Sequence, residues 1–117
     1  FMTENKKTVE KYMDGFNKSD HTQILACLTE DVIWDLPGAF HHVGKAAFDA
    51  EIENDAFVGK PIISVIRMVE ENDVVVAEGN VQVKKKEGES LNVVFCDVFI
   101  MNNGLIERLT SYLMQVQ

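Results

Sequence analysis

From Pro61 to Val116 hydrophobic and polar positions alternate with a period of two. "PIISVIRMVEEN", "DVVVAEGNVQVKK", "SLNVVFCDVFIM" and "LIERLTSYLMQV" each read as a β-strand. Asn72-Asp73, "KEGES" and Asn102-Asn103-Gly104 join them as short turns, which predicts an antiparallel meander. Val75, Ala77, Val81 and Val83 oppose Glu78, Asn80, Gln82 and Lys84, as in a sheet with one core side.

The first half has another rhythm. Val9, Tyr12, Met13 and Phe16 fall at helical spacing in "TENKKTVEKYMDGFNKSD", with Thr3 as a possible cap. Ser19 or Asp20 can cap a second, shorter helix, "HTQILACL". "EDVIWDLPG" reads as a short strand ended by Pro37-Gly38, and "AFHHV" as a loop or a further short strand. "GKAAFDAEIENDAFVG" reads as a third helix with Phe48 and Ile52 on its buried side, and with Glu51 and Asp55 on its polar side. This order predicts an α+β domain: three N-terminal helices on one face of a curved, mostly antiparallel sheet. A curved sheet under helices leaves room for a pocket.

The chain has 117 residues, 46% of them hydrophobic, enough for a single domain over residues 2–117 with its own core. Phe1 precedes Met2 and is expected to be an added residue. A net charge of -8 argues against nucleic acid and anionic membranes as partners. No apolar run is long enough to cross a bilayer, and no signal peptide is visible. Cys27 and Cys96 lie in apolar segments, as free thiols of a cytoplasmic protein would. No Cys/His spacing suggests zinc, and Lys84-Lys85-Lys86 reads as a solvated turn.

One acid breaks the pattern. In "FCDVFIM" Asp97 shares a strand face with Phe95, Phe99 and Met101, and the other face is apolar too. Either the acid is bonded to a backbone group, Arg67 or Arg108, or it faces a pocket as a proton donor whose pKa burial has raised.

Three stretches carry a resemblance. "VEKYMDGFNKSD", "LTEDVIWDLPG" and "FCDVFIMNNGLIERLTSYL" resemble, in order and spacing, the first helix, first strand and last hairpin of the cone-shaped nuclear transport factor 2-like (NTF2-like) fold. That superfamily includes ketosteroid isomerases and SnoaL-like polyketide cyclases. The resemblance implies that Tyr12 and Asp97 are two hydrogen-bond donors to an enolate oxygen. It also implies a homodimer. The isomerases place their base just before the proline of the first strand, where this chain has Leu36. His41, in the loop after Pro37-Gly38, is the candidate replacement, taken ahead of His42; adjacent strand residues point opposite ways, so at most one of the two faces inward, and Asp97 itself is the other option.

Phe16, Trp34, Leu36, Phe95 and Phe99 are the candidate apolar lining, although Trp34 and Leu36 equally fit a packed core. Asp35 reads as solvated or bonded at the strand edge, Glu78 as open sheet face or dimer interface, and Tyr112 and Met114 as core or interface. Two functions remain open. One is a cofactor-independent isomerase, cyclase or lyase acting on a small hydrophobic carbonyl compound. The other is a non-catalytic module that binds a small molecule or a protein.

Overall fold

The computed structural model describes residues 2–53 and 57–116, with only the backbone at Phe57. Asp55 and Phe1 therefore lie outside the described residues. Three helices, α1 (Glu4–Lys18), α2 (His21–Leu25) and α3 (Lys45–Ile52), cover one face of a six-stranded sheet. Its strands are β1 (Leu28–Leu36), β2 (Phe40–Val43), β3 (Phe57–Glu71), β4 (Val74–Lys85), β5 (Ser90–Asn102) and β6 (Leu105–Gln115). They lie in the order β2-β1-β6-β5-β4-β3. The predicted meander is β3 to β6, and all pairs are antiparallel except β1 with β6.

Local chemistry sets the element ends. The Thr3 hydroxyl accepts from the Lys6 N–H at 3.1 Å, and the Asp20 carboxylate accepts from the Gln23 N–H at 3.0 Å. Each satisfies an amide that the first helical turn leaves unpaired. Asn72-Asp73 and Asn103-Gly104 have positive φ at both positions, as tight hairpin turns require.

Two boundaries differ from the sequence expectation. Leu28 starts β1 instead of ending α2, because it pairs with Ile106, and the Ile106 N–H donates to the Cys27 carbonyl at 2.8 Å. The third helix stops at Ile52, and β3 is already under way at Phe57. Gly59 and Pro61 are poor helix formers, and pairing of Phe57 with Lys85 and Val58 with Lys84 captures this stretch for the sheet. Pro61 is tolerated because β3 is an edge strand whose register shifts between Val58 and Ile62.

The core lies between helices and sheet. Val9, Ile24, Phe48, Phe99, Ile106 and Leu109 are fully buried there. Gly79 lets β3 and Phe95 close over β4: a Cβ would stand 2.1 Å from the Ser64 carbonyl oxygen and 2.9 Å from the Phe95 ring. Gly79→Ala is expected to lose about 2–3 kcal/mol, since backbone must move and Phe95 must tilt. A urea midpoint unchanged from wild type would show that the strands have slack.

Candidate active site

Asp97 and Tyr12 are brought together by α1 and β5. Period two on β5 turns Phe95, Asp97, Phe99 and Met101 inward, and all four are buried. The helical stripe of α1 turns Val9, Tyr12 and Met13 onto that face. Tyr12 is 3% exposed and Asp97 8% exposed, and both line a cavity of about 700 Å³.

Burial disfavours the ionised form of both groups. Burial pushes the Asp97 carboxyl up to about 7, and the Ser111 hydroxyl opposite it in the sheet pulls the other way. Its Oδ1 has no hydrogen-bond partner among the described residues. Neither anticipated arginine reaches it: Arg67 pairs with Glu78 at 2.8 Å and Arg108 with Asp35 at 2.6 Å. Burial raises the Tyr12 phenol well above its usual range, and the nearby Asp97 charge adds to this. A phenol that keeps its proton can donate a hydrogen bond to an incoming oxygen.

The wall is aromatic. Trp34 stacks on Phe48 at 4.3 Å and meets Phe16 and Phe40 edge-on at 6.0 and 5.1 Å. Its indole N–H donates to the Ser111 hydroxyl at 3.1 Å, which ties the wall to the strand facing Asp97. Phe16, Trp34, Leu36 and Phe95 all line the cavity. Phe99 does not: it is fully buried behind Tyr12, their ring centroids 5.5 Å apart and edge-on.

His41 is not brought to this group. Alternation places its exposed side chain on the other side of the sheet, hydrogen-bonded to Asp35 with Arg108 alongside. These two partners hold the Asp35 carboxyl below its usual range, His41 first. His42 faces inward instead, stacked on Phe40 at 4.4 Å with its Nε2 2.9 Å from Glu51. Phe40, Glu51 and Ser111 also line the cavity and were not singled out from the sequence as site residues. Phe40 alternates in phase with His42, and Glu51 sits between Phe48 and Ile52 on α3, so period alone holds a signal for both.

A family model described as SnoaL-like domain matches residues 9–109. The chain belongs to the SnoaL-like family. Its fold matches many solved nuclear transport factor 2-like structures. A protein of unknown function from Burkholderia pseudomallei superposes with a TM-score of 0.88 at 22% identity, over 94% of this chain and 90% of that one. A putative polyketide cyclase from Xanthomonas campestris gives 0.84 at 24% identity, over 93% and 89%. TerC, crystallised with polyporic acid, gives 0.85 at 20% identity, over 93% and 90%. No curated protein matches the chain. The SnoaL-like chain has no helix long and apolar enough to cross a membrane among its described residues.

Proposed function

We propose that this SnoaL-like protein binds a flat, hydrophobic carbonyl compound and stabilises its enolate. The reaction is an isomerisation, cyclisation or lyase step without a cofactor. The observation that carries this reading is Asp97, whose buried Oδ1 has no partner among the described residues and which lines an aromatic-walled cavity together with Tyr12. An unsatisfied buried acid is costly unless something binds it. Two donors in a dry site, aimed at one oxygen, stabilise negative charge that develops there. TerC, of the same fold, was crystallised with polyporic acid, which supports a small-molecule ligand here.

The test is titration with a fluorescent naphthol, a mimic of an enolate oxygen. Tight binding with emission from the ionised naphthol is expected, weakened by both Tyr12→Phe and Asp97→Asn. Binding indifferent to both substitutions would refute the oxyanion site. Leu36, a cavity residue at the isomerase base position, favours a second reading, a non-catalytic binder. Naphthol binding without turnover of any enolisable ketone would support it.

We also propose that a second copy covers the outer sheet face, in a cytoplasmic homodimer. Ile62, Ile66, Val69, Val94, Tyr112 and Met114 are exposed there, and a monomer rarely shows so much apolar surface in one place. Light scattering should give twice the 13.2 kDa chain mass, and Tyr112→Glu with Met114→Glu should give a monomer. A monomeric wild type would overturn the assembly.

A further inference from the structure

The oxyanion pair holds charge, but a protonated Asp97 cannot also take a proton from carbon. A proton acceptor has to come from elsewhere on the cavity wall. Among the described residues the other acids there are Glu51 and Glu53. The Glu53 side chain is 67% exposed at the mouth, where it reaches His21. The mouth also carries the exposed cations Lys60 and Lys86. Glu51 is different: its side chain is only 23% exposed and its Oε1 lies 2.9 Å from His42 Nε2.

The imidazole is itself held. It lies flat on Phe40, with 15° between the rings, and Phe40 meets Trp34 edge-on. His42 pairs with Trp34 across β1 and β2, Trp34 with Leu109 on β6 and Leu109 with Phe99 on β5, two residues along the strand from Asp97. Three strand spacings make about 14 Å on a flat sheet and less across a curved one. Glu51 and Asp97 line the same cavity from different elements, α3 and β5.

We propose that the Glu51 carboxylate, positioned by the His42 imidazole, is the proton acceptor of the cavity. This deepens the enolate reading and rests on it. Glu51 takes the proton from the carbon next to the carbonyl. The C–H electron pair becomes the new C=C bond, and the carbonyl π pair moves onto the oxygen held by Tyr12 and Asp97. Return of the Glu51 proton to another carbon completes an isomerisation with no atom gained or lost. Glu51 is the catalytic residue and His42 its positioning residue.

Ring opening of a nitrobenzisoxazole tests this. A base removes its carbon-bound proton, the N–O bond breaks with its electron pair on oxygen, and a coloured cyanophenolate forms. Glu51→Gln is expected to lower kcat/KM about 100-fold or more, and Glu51→Asp to restore part of it. His42→Leu should lower kcat about tenfold with KM little changed, while His42→Gln, which keeps an N–H for the carboxylate, should recover most of it. Naphthol affinity should stay within about threefold of wild type in all four variants. The proposal fails if wild type does not accelerate ring opening. It also fails if Glu51→Gln leaves ring opening unchanged, or if the loss follows Asp97→Asn instead. Loss of naphthol binding with ring opening intact would sink the oxyanion reading alone.

Discussion

Asp97→Asn is expected to be less stable than wild type near pH 4 and more stable at pH 8. Burial raises the Asp97 carboxyl from 3.8 to about 7 in the folded chain. Between those values the native state holds a proton that the unfolded chain has released. Raising the pH therefore favours unfolding, by about 1.4 kcal/mol for each pH unit. The full difference is about 4 kcal/mol, reached above pH 7 and absent below pH 4. Asparagine has the same shape and does not titrate, so it escapes this loss. Its amide has its own burial penalty, of about 1–3 kcal/mol, but that penalty does not change with pH. The diagnostic quantity is the slope of the stability difference, read from urea unfolding of both proteins from pH 4 to pH 8. Parallel curves would mean that Asp97 ionises in the fold as freely as in water.

Tyr12→Phe carries the second large effect, on chemistry and not on stability. The ring is packed edge-on against Phe16, Phe48 and Phe99 at 5.1, 6.1 and 5.5 Å, and phenylalanine keeps those contacts. Under the proposed mechanism, what is lost is one of two donors to the developing oxyanion. Such a loss costs about 3–4 kcal/mol, or 100- to 1000-fold in rate. Exchange of the acidic C–H protons of a bicyclic aryl ketone into deuterium oxide, followed by NMR, gives the rate directly. A Tyr12→Phe rate equal to wild type would remove the tyrosine from the mechanism. A thermal midpoint that also falls by many degrees would instead assign the phenol a packing role.

Periodicity revealed much of this molecule, and its limits were physical. The meander was legible because one side of β4 and β5 is apolar at every second residue, as at Val75, Ala77, Phe95 and Phe99. Asp97 was legible for the same reason, as the acid that breaks such a run. Alternation alone could not tell whether Phe99 lines the cavity or packs behind Tyr12, since both positions face inward. His41 and His42 could not be ranked without the β1–β2 register, which pairs Trp34 with His42 and Asp35 with His41. That register fixes which imidazole lies on the helix side of the sheet, and it depends on the turn through Pro37-Gly38. The end of α3 was hidden because Val58 and its neighbours are claimed by β4, a partner some 25 residues downstream.

The lone parallel pairing of β1 with β6 has a consequence for the order of assembly. The hairpins of β3 to β6 join neighbours in sequence and close with short loops, whereas the Trp34 bond to Ser111 spans 77 residues. Contacts that far apart form late, because the chain between them must first be ordered. On the ribosome β1 emerges early and can pair with β2, but its other edge stays open until β6, the last strand, is made. The cavity, whose walls come from both ends of the chain, is then the last part of the protein to exist. Any ligand that holds those walls together can act as a folding aid as well as a substrate.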